Sequence, residues 1–174
     1  PSKLRKTMLA IKEHKTTLTL AAIFSSALLL IAAALYFEHV EGLLPCIQCV
    51  YQRLGVTLIM LSALLGVIFR QRCMKIISLA GVAVGAYYTA SKAYEHIMIA
   101  NNSNPFTSSC EFEPTFPFSL PLDTWLPWLF EANGPCDVAA EWSLMGMNMP
   151  EWVFVYSVSC GFLFMVGALT LIKR

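Results

Sequence analysis

Four apolar runs, each about as long as a membrane is thick, decide what this 174-residue chain can fold into. A helix needs about 20 mostly apolar residues to cross a hydrocarbon layer about 30 Å deep at about 1.5 Å per residue. Residues 17–37 and 152–172 carry no charge, 50–69 carry only Arg53, and 76–94 carry only Lys92. The composition agrees: 57% of residues are hydrophobic and 13% charged, against about 45–50% and about 25% in soluble domains. Such a balance excludes a disordered tail, a nucleic-acid binder and an ordinary cytosolic domain. The fold expected is all-α, a four-transmembrane-helix bundle forming one integral membrane domain over 1–174. A basic start, an apolar run and Ala32-Ala33-Ala34 also resemble a cleaved signal peptide, but the run exceeds the 7–15 residues of a signal core and three more spans follow.

The charges orient the bundle. Lys3, Arg5, Lys6, Lys12 and Lys15 precede the first span, Arg70, Arg72 and Lys75 lie between spans two and three, and Lys173 and Arg174 follow span four. The two remaining connections, 38–49 and 95–151, hold no Lys or Arg. The positive-inside rule therefore places both termini in the cytoplasm and both of those loops outside. Seven prolines between Pro105 and Pro150 forbid a long helix across the second loop. All four tryptophans lie in it or at its edge, which suits the headgroup zone. Leu122–Phe130 (LDTWLPWLF) reads equally as a short helix on the membrane surface and as aromatics packed on the helix ends.

Topology sorts the six cysteines. Cys46, Cys49, Cys110 and Cys136 fall in the outer loops, on the oxidising side, while Cys73 faces the cytoplasm and Cys160 is inside span four. Cys46-Ile47-Gln48-Cys49 follows Pro45 and opens span two, where unsatisfied N–H groups and the helix dipole favour a thiolate. Arg53 lies four residues beyond Cys49 and seven beyond Cys46, so all three are expected on one helix face, and an arginine within a span needs something anionic to meet it. The pattern reads as a reactive dithiol beside a fixed cation. An inert staple is the weaker reading, because so short a loop constrains the unfolded chain little. A zinc site is weaker still, because Cys110 and Cys136 are 26 residues apart rather than a second close pair. Those two cysteines fit equally a structural brace and an exposed disulfide open to attack by a soluble thiolate. Glu38-His39 and Glu95-His96 both end spans at the outer face. Met145, Met147 and Met149 alternate, for which apolar contact is the plain reading, and Gly81 with Gly85 is a close-packing motif.

Several segments together resemble the DsbB family: FEHVEGLLPCIQCVYQR (37–53), AYEHIM (93–98), NPFTSSCEF (104–112), LPLDTWLPWLF (120–130), the GPC ending at Cys136, and MNMPEW (147–152). The resemblance covers nearly the whole chain. It implies a quinone-dependent protein-disulfide-generating oxidoreductase of the bacterial inner membrane, with its active cysteines on the periplasmic side. Cys110 and Cys136 would form the disulfide attacked by a reduced DsbA-like thiol oxidase, with Cys110 taking the mixed disulfide. Cys136 would exchange with Cys46, and Cys49 would pass electrons to ubiquinone or menaquinone held by Arg53 and, more weakly, His96. The membrane quinone pool and respiratory chain would then be partners, with no metal and no nucleic acid. Two other readings remain: a non-enzymatic four-span protein with structural loop disulfides, and a relative of vitamin K epoxide reductase, whose Cys-x-x-Cys belongs to a late span.

Overall fold

The computed structural model describes residues 2–101, 114–136 and 142–172. Helices α1 (Ser2–His39), α2 (Ile47–Ile68), α3 (Arg72–Asn101) and a last helix, Met149–Ile172, form the bundle. All four contain windows long and apolar enough to cross a membrane. They outlast the apolar runs. The 30 residues of α3 extend about 45 Å, beyond the hydrocarbon at one end or both. Between α3 and the last helix lie a 3-10 turn (Pro117–Ser119), two single helical turns α4 (Leu122–Trp125) and α5 (Pro127–Phe130), and a hairpin of β1 (Ser143–Leu144) and β2 (Met147–Asn148). The last helix is therefore α6.

Helix α2 is the packing centre, with residues from Ile47 to Gly66 buried against α1 and α3. Small residues let α2 and α3 approach closely. A Cβ on Gly85 would stand 2.8 Å from Ile59 Cγ1 and 3.0 Å from the Gly55 carbonyl oxygen, and one on Gly81 would overlap Ser62. The close packing expected of Gly81 and Gly85 is thus directed at α2. Ser78 Oγ donates to the Ser62 carbonyl at 2.6 Å across the same interface. Lower in the bundle, Lys75 is buried yet satisfied, its Nζ donating to the Glu13 carbonyl at 3.0 Å. Thr16 and Thr170 hydroxyls meet at 3.4 Å, joining α1 to α6 at that end.

The aromatic stretch 122–130 differs from a single surface helix. Pro127 disfavours helical backbone at the residue before it, and Leu126 takes φ −133°, ψ 63°, which cuts the stretch into two turns. Trp125 and Trp128 are exposed, while Leu129 and Phe130 are buried in the core. Phe116 bridges Phe130 and Tyr51 through edge-on ring contacts, and the Thr115 N–H donates to the Tyr51 hydroxyl at 2.7 Å. So the outer loop is fastened onto the first turns of α2. The hairpin turns at Met145 and Gly146, both at positive φ, and Met145 is exposed.

The α2–α3 contact makes a stability prediction. Gly85→Val forces a branched side chain against the rigid Gly55 carbonyl and is expected to cost about 1–3 kcal/mol. Gly161 has open space around the same position, so Gly161→Ala is expected to be neutral or slightly stabilising. Thermal unfolding of both variants in detergent checks the contrast; equal melting temperatures would count against the packing described.

Candidate functional site

The site begins at the start of α2. Pro45 lies outside the helix and Cys46 is its N-cap, with extended backbone (φ −80°, ψ 169°). Cys46 Sγ takes the part usually played by a Ser or Asp oxygen and accepts the Cys49 N–H at 3.3 Å. The two sulfurs are unbonded, 2.9 Å apart, with Cys46 donating its S–H to Cys49. That donation, then burial and the field of the Cys49 sulfur, push the Cys46 thiol far above its ordinary range. Within the pair Cys46 is the donor and Cys49 the acceptor.

The pair is divided between two environments. Cys49 lines an apolar cavity of about 640 Å³, together with Arg53, Phe37, Val56, Trp152 and Tyr156. Cys46, fully buried, instead turns toward α3, where its Sγ lies 3.7 Å from His96 Nε2. Cys49 and Arg53 share the face expected of them, and Cys46 does not join them at the cavity.

Arg53 has the anionic partner that its position demanded. Its NH1 donates to Glu38 Oε2 at 2.6 Å and to the Leu129 carbonyl at 3.3 Å, and its NH2 donates to the Ala34 carbonyl at 3.4 Å. Both side chains of the ion pair are largely buried, at 8% and 13% exposure. Sequence reading placed Glu38 at the end of the first span and did not connect it to Arg53. The available signal was the cost of an unpaired arginine at that depth, with Glu38 on the neighbouring helix end.

On the other side of α2, the second cysteine pair comes into reach. Cys136 is buried and disulfide-bonded. Cys110 lies outside the described residues. The Pro45 carbonyl accepts N–H bonds from Asn133 and Gly134, both at 3.0 Å, and the Cys136 carbonyl lies 3.1 Å from His96 Nε2. His96 is fully buried, and its Nδ1 lies 3.1 Å from Gln52 Nε2. It stands among Cys46, Gln52 and Cys136, and is not part of the cavity lining. Cys73 is exposed at the start of α3 and Cys160 is buried in α6; both are free thiols.

Cys46, Cys49 and His96 offer three ligand atoms within 4.8 Å of one another. The imidazole opposes their use together: its Nε2 must donate to the Cys136 carbonyl, so it presents a hydrogen rather than a lone pair on that side. What the arrangement does offer is a dithiol with one sulfur open to an apolar cavity beside a guanidinium, and the other next to a docked disulfide.

Comparison with known proteins agrees with this chemistry. The family described as disulfide bond formation protein DsbB matches residues 15–167. Disulfide bond formation protein B of Pseudoalteromonas atlantica is 39% identical over 140 residues, covering 80% of this chain and 81% of that protein. The protein of that name from Yersinia pestis is 37% identical over 128 residues, covering 74% and 72%. The one from Shewanella frigidimarina is 35% identical over 149 residues, covering 85% and 87%. With its four apolar helices and its paired cysteines, the chain belongs to the DsbB family of membrane disulfide bond formation proteins.

Proposed function

We infer that this protein is a thiol oxidase of the bacterial inner membrane that takes electrons from a reduced DsbA-like periplasmic oxidase and delivers them to a membrane quinone. The route runs through Cys110 and Cys136, then Cys46 and Cys49. One observation carries the reading: Cys49 opens onto an apolar cavity beside Arg53, while its partner Cys46 faces the docked Cys136 segment. A dithiol divided in this way can receive electrons on one side and release them on the other.

The cavity fits a quinone by size and by lining. It is bounded by aliphatic and aromatic side chains, with the Cys49 sulfur and the Arg53 guanidinium among its polar groups. Three of the five guanidinium N–H groups are engaged by Glu38, Leu129 and Ala34, leaving two for a carbonyl oxygen among the described residues. Arg53 would hold that oxygen, and Phe37, Val56 and Trp152 would enclose the ring or its tail. A bound ubiquinone or menaquinone supplies a two-electron, two-proton acceptor dissolved in the bilayer.

The chain's own residues manage the thiol side. A partner thiolate attacks Cys110, releasing Cys136 as a thiolate. Cys136 attacks Cys46 of the oxidised inner pair, and the electron pair departs on Cys49. Attack by the second partner thiol then frees Cys110, and the return of Cys110 to Cys136 leaves the inner pair as the dithiol. Because DsbA is itself strongly oxidising, near about −120 mV, the ordinary thiol pools are too reducing to accept its electrons.

The outer loops lie in the periplasm on this reading, supported by the absence of Lys and Arg from 38–49 and 95–151. Cys73, exposed and flanked by Arg70 and Arg72, then lies on the cytoplasmic side. A membrane-impermeant maleimide is expected to label it only after the inner membrane of spheroplasts is permeabilised. Labelling in intact spheroplasts would reverse the orientation.

The electron path is tested by following quinone absorbance in detergent with reduced DsbA in excess. The oxidised band should disappear stoichiometrically with the wild type and persist with Cys49→Ala. Turnover by that variant would remove Cys49 as the donor.

The ion pair separates stability from chemistry. Arg53→Gln leaves the Glu38 carboxylate partly buried without its cation, a loss of about 3 kcal/mol. Adding Glu38→Gln should recover most of the melting temperature but not quinone reduction. Recovery of both would make Arg53 a structural residue only.

A further inference from the structure

Transfer between Cys136 and Cys46 requires a loop residue and a helix-capping residue to meet, and the chain devotes specific groups to that meeting. Pro45 stands outside α2, so its carbonyl points away from the helix ladder and takes the N–H groups of Asn133 and Gly134. Gly134 lies so low over Leu44 that a Cβ on it would overlap the Leu44 carbonyl oxygen. Only glycine allows this approach. The Cys136 carbonyl then receives His96 Nε2 at 3.1 Å, the same nitrogen that lies 3.7 Å from Cys46 Sγ.

The two neighbours of the imidazole dictate one tautomer. Gln52 Nε2 can only donate, so Nδ1 accepts. The Cys136 carbonyl can only accept, so Nε2 carries the hydrogen. With both nitrogens occupied and a fully buried ring, His96 takes no direct part in the cavity wall and reaches it only through Gln52, which lines it. Its remaining contact is the Cys46 sulfur.

We propose that His96 is the positioning residue for exchange between the two cysteine pairs, tying the Cys136 backbone to the Cys46 sulfur, with Gly134 supplying the close approach. The proposal rests on the reading that electrons pass from Cys136 to Cys46. In that step the Cys136–Cys46 bond forms, the Cys46–Cys49 bond breaks, and the electron pair leaves on Cys49. No further redox reagent enters. Gln52 acts one contact further out by fixing the ring.

The test uses the full chain in a Cys49→Ala background, purified without quinone. There Cys46 can attack Cys136 of the loop disulfide, forming a Cys46–Cys136 bond and freeing Cys110. Acid quenching, alkylation and peptide mass measurement give the rate at which this bond appears. His96→Leu is expected to slow it by about tenfold or more, as expected for a displaced reacting atom. His96→Gln, whose amide nitrogen can take the place of Nε2, should restore most of the rate. Gly134→Ala should slow it without touching the imidazole, which keeps the proposal testable if His96→Leu does not fold.

Titration with a short-chain ubiquinone supplies the second readout, and affinity within about twofold of the parent is expected for His96→Leu, a ring outside the cavity wall. An unchanged exchange rate together with lost quinone affinity would overturn the proposal and make His96 a quinone ligand. Failure of the Cys49→Ala parent to form any Cys46–Cys136 bond would remove the underlying electron path, and the proposal with it.

Discussion

Everything at the Cys46 end of this bundle depends on how one arginine is accommodated. Arg53 lies two turns into α2, where a guanidinium without partners would be costly. Its three acceptors come from different places: Glu38 and Ala34 at the end of α1, and Leu129 in the outer loop. Satisfying one cation therefore joins α1, α2 and the loop around a single point. Such a buried pair is weak evidence for added stability, since desolvation offsets much of its attraction. Its stronger consequence is geometric, because the guanidinium is held in one place at the cavity wall, one turn from Cys49.

A second constraint is the polarity of a helix start. The first turn of α2 leaves backbone N–H groups unsatisfied, and a sulfur, rather than a side-chain oxygen, accepts one of them. The cap residue is thereby pinned outside the helix, facing α3 and the loop, while Cys49 is carried round to the α1 side. A three-residue spacing within one helical turn, combined with a capping role for the first cysteine, suffices to point two sulfurs into different environments.

The bundle was largely legible in the sequence because membrane crossing imposes a length, and runs such as 17–37 and 152–172 meet it without a charge. Helix ends were less so. Helices α1 and α3 continue past their apolar runs, where hydrogen bonding rather than hydrophobicity holds them together. The break at Leu126 was missed although Pro127 carried its signal, and the sequence could not show that Trp128 stays exposed while Leu129 and Phe130 are drawn into the core. At the site, the shared face of Cys49 and Arg53 followed from spacing within one helix, while the turn of Cys46 toward α3 did not. The Glu38 partner, 15 residues earlier on another helix, did not. Nor did the place of His96, because its surroundings are made by the docked Cys136 segment and by Gln52, and neither is its neighbour in sequence.

On the proposed electron path, the division between polar exchange and apolar delivery accounts for two cysteine pairs. Disulfide exchange with a soluble protein needs a sulfur that water and a large partner can reach. Delivery to a lipid-soluble acceptor needs one that faces hydrocarbon. A single pair would have to move between these media, at the cost of uncovering the apolar cavity or of burying the partner's binding surface. Here Cys136 belongs to the loop and Cys46 and Cys49 to the helix start, and contact between the two segments is made through Pro45, Gly134 and His96. On that path the start of α2 needs no large displacement, and motion is left to the loop side, where the two backbone hydrogen bonds to Pro45 can break and reform if Cys136 changes partner.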